Sequence, residues 1–385
     1  MSFPGAATTR SRAGAEVLDF DLHGLAAIRL VGPAPTDGAA FRRQLGPLQA
    51  AVDREPDIVI RFVDRLKRSS RIRYIGLDDA GFTDDAFLVL RSRHKSPARV
   101  KIDFSQIGGP TEIVCERGLT AVPYLVPILN LTLLAKGVLP LHASAFVHEG
   151  TGVVATGWSK GGKTEALLAF AARGAEYVGD EWIYVTSDGA RVHGIPEPIR
   201  IWHWQLRQLP QYEPLVGRGE RARLSALELA LRAEDVWRHA KPGRVSALLK
   251  RQQYVDVDPE RLFGRLGTMT APFDRLFFLV GHERSEVTVE PIDPTEVARR
   301  MAFSLQHEGL ELMAAYLKYR FAFPDASSYL VDHAAALQRD ALTRVLAGKP
   351  AFVVHHPYPV SLSALFESMQ RYCGYLGRAG GNRHP

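Results

Sequence analysis

No segment constrains this chain more than the stretch around residue 160. It reads Val153-Val-Ala-Thr-Gly-Trp-Ser-Lys-Gly-Gly-Lys-Thr164, then Glu165-Ala-Leu-Leu-Ala-Phe-Ala-Ala. An apolar β-branched run, a glycine-rich turn and a run of strong helix formers predict a buried strand, a loop and a helix in direct succession. The turn Gly157–Thr164 fits the pattern G-x-x-x-x-G-K-[ST]. Such a loop brings several backbone N–H groups and the positive end of a helix around one point, which suits a polyphosphate. Lys163 is placed to reach β- and γ-phosphates, and Thr164 to offer a hydroxyl to Mg²⁺. Gly161 and Gly162 allow close backbone approach. The bland alternative is a chance glycine turn before a helix, and the full pattern in its full context outweighs it.

Two further features lie close in sequence. Gly179-Asp180-Glu181 comes after one short helix and one strand, so both carboxylates are expected at a strand end beside the loop strand. Strand ends next to a phosphate loop are where bases and metal ligands are useful. Asp180 is the candidate base, and Glu181 the candidate Mg²⁺ ligand, directly or through water. Alone, the pair would read as an acidic turn opening a hairpin. Leu141-His142-Ala143-Ser144 lies on the preceding strand, which places His142 near the expected phosphate site. A histidine in an apolar strand is otherwise a core residue more often than a catalytic one.

Composition agrees with a globular chain. Of 385 residues, 46% are hydrophobic and 23% charged, and the mean hydropathy is −0.09. The length suggests two domains. A net charge of +6 permits a polyanionic partner such as a nucleotide, while the absence of any long basic block argues against nucleic acid. Cys115 and Cys373 are the only cysteines, which excludes a disulfide scaffold and a cysteine zinc site and points to the cytoplasm. The polar start lacks the apolar stretch of a signal peptide. The most apolar region, 121–135, is interrupted by Pro123, Pro127 and Asn130 and is too short to span a bilayer, so no membrane association is expected.

Residues 16–118 read as a small β-rich module with one helix over 39–54 and strands at 17–30, 58–63, 86–91, 100–104 and 112–116. From 119 onward, helices are expected over 122–135, 163–173, 294–320, 329–346 and 361–372. Strands are expected at 139–147, 152–156, 276–280, 287–290 and 351–355, with a hairpin around Ser187-Asp188-Gly189. Residues 205–270 are arginine-rich and read as helical or irregular, and 377–385 as a disordered tail.

Taken together, LHASAF, GWSKGGKT and GDEW resemble the HPr kinase/phosphorylase family and its HprK-like serine kinase relatives, a fold related to phosphoenolpyruvate carboxykinase. The match is densest over 139–186 and weaker from 119 to about 372. The resemblance implies an α/β fold in which an HPr kinase-like phosphate-loop domain with a mostly β core (119–376) follows a small α+β module (1–118). It implies ATP- and Mg²⁺-dependent phosphorylation of a Ser or Thr hydroxyl on a protein or peptide, with homo-oligomers compatible. The family's loop residues fall on Gly157, Ser159, Gly162, Lys163 and Thr164, with Lys160 and Gly161 between them. Its acidic pair falls on Asp180, the general base, and Glu181, and its active-site histidine on His142. Its metal-binding glutamate has Glu197, in Ile195-Pro-Glu-Pro-Ile-Arg200, as nearest candidate. Lys160 stands where the family has glycine, and Glu181 where it has aspartate. The N-terminal module and 205–270 have no counterpart in the bacterial sugar-regulation enzymes, so the acceptor expected is not HPr. Two other readings stay open: phosphoryl transfer to a small carbon acid, as in the carboxykinases, and a non-catalytic nucleotide-binding sensor or scaffold.

Three other clusters carry less. The patch Ile199-Arg-Ile-Trp-His-Trp-Gln-Leu-Arg207 reads either as a strand lining an acceptor groove or as core plus rim. Arg218, Arg221 and Arg223 read as a solvated charged loop that could also close on phosphates. His355-His356-Pro357 lacks metal-ligand partners at useful spacing.

Overall fold

The structure is a computed structural model and describes residues 9–10, 16–45, 48–76, 79–90, 99–237, 249 and 251–374. It is a mixed α/β protein whose sheets contain both parallel and antiparallel pairs. The chain divides into two compact units, each discontinuous in sequence. The first holds residues 1–142, 182–195 and 293–348; the second holds 143–181, 196–292 and 349–385. Neither coincides with a cut at residue 118. The expected tail at 377–385 and most of the first 15 residues lie outside the described residues.

Among the described residues, the first unit is built on a nine-stranded sheet. Glu16–Leu22 and Ala26–Val31 form a hairpin, broken as expected at His23 and Gly24, both with positive φ. Ile58–Val63 then pairs in parallel with Ala26–Val31 and with Thr111–Glu116. The aromatic core under this sheet joins Phe87, Phe104 and Tyr319, with ring centroids 5.4–5.9 Å apart. The helix Leu125–Ala135, buried through most of its length, packs on Tyr329–Leu346. It begins three residues later than the sequence suggests.

Two expected helices are corrected. The helix foreseen over 39–54 runs instead over Pro35–Leu45. Proline suits a first helical turn, Asp37 accepts the Ala34 N–H at 3.1 Å, and Gly46-Pro47 follows the last helical residue. The helix foreseen over 294–320 is two, Pro294–Glu308 and Leu310–Ala322, divided at Gly309. Glycine is a poor helix former, and the Gly309 N–H is shared between the Leu305 and Gln306 carbonyls at 3.1 Å each.

The strand Leu139–His148 begins in the first unit, where Leu139 to His142 pair with Trp182–Val185. From Ala143 it belongs to the second unit. There it runs antiparallel to Thr151–Gly157, which in turn pairs in parallel with Arg275–Gly281. Ala351–His356 extends this parallel set and Thr288–Pro291 closes it antiparallel. All residues of Thr151–Gly157 are buried, so this strand reads as a continuous apolar run rather than an alternation. The helix Lys163–Ala171 packs on Leu362–Gln370, with Phe170 between Phe146 at 4.6 Å and Phe366 at 5.0 Å. Residues 205–270 include the long helix Arg218–Trp237, so Arg218, Arg221 and Arg223 stand on a helix and not in a loop. Among the described residues, no helix is long and apolar enough to cross a membrane.

Candidate functional site

The glycine-rich turn joins Thr151–Gly157 to Lys163–Ala171, as a strand–loop–helix. Its inner turn is closed by the Gly161 N–H on the Trp158 carbonyl at 2.9 Å. Gly161 and Gly162 are, with Gly157, the glycines of the turn that the space requires. A Cβ on Gly161 would stand 2.8 Å from the Trp158 oxygen, and one on Gly162 would stand 2.6 Å from His356 Nε2. Gly162 also has φ +105°, which an L side chain resists. Gly162 is the N-cap of the loop helix, and no side chain caps it. The N-cap residue itself thus contributes no side-chain acceptor at this helix start, a place suited to an anion.

Lys163 is buried, and its Nζ donates to the Trp158 carbonyl at 3.0 Å, within the loop it serves. The Ser144 hydroxyl fixes the Lys163 carbonyl at 2.8 Å. Lys160 is exposed and has φ +61°, a left-handed conformation at the position where a glycine would be unstrained. Ser159 is half-buried beside it.

Asp180 follows the strand Glu176–Gly179 and is buried. The Thr164 hydroxyl donates to its carboxylate, 3.0 Å from Oδ2 and 3.4 Å from Oδ1. Burial first, and the Glu181 carboxylate second, push the Asp180 carboxyl up to about 7. The Thr164 hydroxyl, the Glu181 backbone and Lys163 act in the opposite direction. Glu181 is exposed and left-handed at φ +63°, and its carbonyl accepts the Ala143 N–H at 3.2 Å. Glu197 is half-buried in the extended stretch before Ile199–Trp202. Its charge and that of Asp180 reinforce burial in raising the Tyr177 phenol, so both carboxylates act on one side chain. Among the described residues, no three His, Cys, Asp or Glu side chains gather as a metal cluster.

The second unit thus brings together Gly157 to Thr164, Asp180, Glu181 and Glu197. His142 is the last residue of the first unit. It is buried, its Nδ1 lies 3.1 Å from Glu308 Oε1, and its ring stacks on Trp182 at 5.5 Å.

Two residues of the site were not foreseen. His356 ends the strand Ala351–His356, and its Nε2 lies 2.9 Å from the Gly161 carbonyl. In the sequence, His355-His356-Pro357 offers only a metal-ligand reading. The available clue was different: an apolar strand in an α/β chain ends on the same edge as its parallel neighbours, so its last side chain reaches the loops there. Glu165, in the first turn of the loop helix, is also buried, with Gln205 Nε2 donating to it at 3.0 Å. Burial raises its proton affinity. Nothing in the local sequence separates Glu165 from an exposed glutamate.

No protein-family model matches the chain, and no curated protein matches it.

Proposed function

We propose that the chain is an ATP- and Mg²⁺-dependent phosphotransferase with an HPr kinase-like phosphate-loop domain, which moves the γ-phosphoryl group to a Ser or Thr hydroxyl of a protein or peptide. The observation that carries this reading is the Thr164–Asp180 hydrogen bond at 3.0 Å, at the start of a helix whose first residue is the buried Lys163. A loop cation, a hydroxyl and a carboxylate of raised proton affinity then stand in one unit, the set that phosphoryl transfer asks of a protein.

The loop amides and Lys163 would bind the polyphosphate, with Lys163 exchanging the Trp158 carbonyl for a phosphate oxygen. Mg²⁺, when bound, supplies charge neutralisation at the β- and γ-phosphates. Thr164, with Glu181 directly or through water, would hold it, and Glu197, whose charge acts with that of Asp180 on Tyr177, is the further candidate carboxylate. One or two protein carboxylates beside phosphate oxygens are enough for that ion. Asp180 would take the acceptor's hydroxyl proton as the new O–P bond forms and the bond to the β-bridging oxygen breaks, releasing ADP. A carboxyl poised near neutral pH suits that exchange. His142, with its imidazole engaged by Glu308, is assigned no step. The two free, buried cysteines are in keeping with a reducing cytoplasm.

The test is incubation with γ-labelled ATP, Mg²⁺ and a library of serine- and threonine-containing peptides. Labelled peptide is expected. Label on a small carbon acid would favour carboxykinase-like chemistry, and binding without any transfer would favour a nucleotide sensor.

A further inference from the structure

The aromatic patch noted in the sequence is one wall of an open cavity of about 500 Å³ that lies wholly in the second unit. Trp202, Trp204, Tyr358, Arg207, Arg251 and Glu228 are among the residues that line it. Trp204 and Tyr358 stand edge to face, with centroids 5.7 Å apart. Tyr358 is 57% exposed, and Trp202 and Trp204 are half-buried, so the core does not account for these rings.

This cavity is tied to the phosphate loop at two points. Gln205, between Trp204 and Leu206, is buried and donates to Glu165 on the loop helix at 3.0 Å. Tyr358 is two residues beyond His356, whose Nε2 lies 2.9 Å from the Gly161 carbonyl. The walls are also fixed to one another: Gln208 Nε2 donates to the Val360 carbonyl at 3.1 Å, and the Leu362 N–H donates to Gln208 Oε1 at 2.9 Å. Arg207 pairs with Glu228 at 3.2 Å, so a donor and an acceptor face the cavity side by side.

We infer that this cavity is the base site of the phosphoryl donor: Trp204 and Tyr358, nearly perpendicular at 81°, offer a purine ring one stacking face and one flanking ring edge, and the donor is a nucleoside triphosphate rather than pyrophosphate. The inference rests on the phosphate-loop reading above. Flat rings offer every base a stacking face, and guanidinium and carboxylate groups match the acceptors and the amino group on a purine edge. Neither an inorganic polyphosphate nor a phosphorylated carbon acid gives these rings anything to hold.

The test compares Mg-ATP with Mg-tripolyphosphate by calorimetry on the full chain, in wild type, Trp204→Ala, Tyr358→Ala and Lys163→Ala. Stacking on an aromatic side chain amounts to roughly 5- to 100-fold in affinity. Wild type should bind ATP at least about tenfold more tightly than tripolyphosphate. Trp204→Ala and Tyr358→Ala should lose that advantage and leave tripolyphosphate affinity unchanged, which also reports that each variant is folded. Trp204→Phe should restore most of it. Lys163→Ala should weaken both ligands. Equal wild-type affinities, or Trp204 and Tyr358 variants that leave ATP unchanged or weaken both ligands alike, overturn the base site. If wild type bound neither ligand, or Lys163→Ala affected neither, the phosphate loop itself would be at fault.

Discussion

The Thr164 hydroxyl and the Asp180 carboxylate are 3.0 Å apart, although they stand sixteen positions apart in sequence. The helix Lys163–Ala171 and the strand Glu176–Gly179 fill that interval and return the chain to the loop. The hydroxyl stabilises the charged carboxylate while burial opposes it. Burial and the neighbouring Glu181 carboxylate prevail, so the proton affinity of Asp180 is raised beside the loop.

Asp180→Asn keeps the size of the side chain and a hydrogen bond to Thr164, and it removes the proton acceptor. Phosphoryl transfer should fall by about 10²–10⁴-fold, with Mg-ATP affinity little changed. Single-turnover transfer measured beside equilibrium binding checks this. A parallel loss of affinity would make Asp180 a metal ligand.

Lys163→Ala removes a buried ammonium from the loop. Mg-ATP affinity should drop by roughly 10- to 100-fold, since a charge-assisted hydrogen bond contributes about 1.5–3 kcal/mol. Titration calorimetry reads it, and unchanged binding would remove the loop from the nucleotide site.

Lys160 combines an exposed charge with a left-handed backbone. Lys160→Gly should relieve strain of about 1 kcal/mol, so the melting temperature should hold or rise. Nucleotide affinity should fall, and more at low salt than at high salt, because exposed charges are screened over about 10 Å at 0.1 M. A salt-independent loss would assign the effect to loop conformation.

His23 and His193 supply a pH dependence within the first unit. Their rings are 5.0 Å apart, and His23 Nε2 is 2.7 Å from the Gly194 carbonyl. Burial first, then His23 and Arg191, push His193 down to about 4 from an ordinary 6.5, and burial lowers His23 as well. Between those values the unfolded chain binds more protons than the folded one. The stabilising share is therefore complete above about pH 6.5 and is lost as pH falls toward 4. The slope is at most about 1.4 kcal/mol per pH unit for each group. Thermal unfolding between pH 7.5 and 4.5 should show a smaller acid-side drop in His193→Asn than in wild type.

The strand–loop–helix around Gly157 was legible because local chemistry dictates it: a buried apolar run, glycines in a turn, and a strong helix. The acidic pair was legible for the same reason, since a short helix and strand fix where Asp180 returns. His356 and Glu165 were not, because their roles depend on which strand lies beside which, and that pairing joins residues far apart in sequence. The break at Gly309 had a visible cause, but the apolar spacing on both sides continued the helical pattern and outvoted it. The unit boundaries were hidden because each unit is assembled from separate stretches of the chain.

The contact between His356 and Gly161 spans 195 positions. A chain emerging from the ribosome carries a finished loop sequence long before the strand that steadies it exists. The loop strand's parallel neighbour Arg275–Gly281 is synthesised first, and Ala351–His356, which pairs with that neighbour, only afterwards. Long-range parallel pairings form slowly because loop closure must come before any contact is gained. The His356 contact with the phosphate loop thus waits on the last tenth of the chain, and a nascent chain stopped before residue 351 would carry the motif without that support.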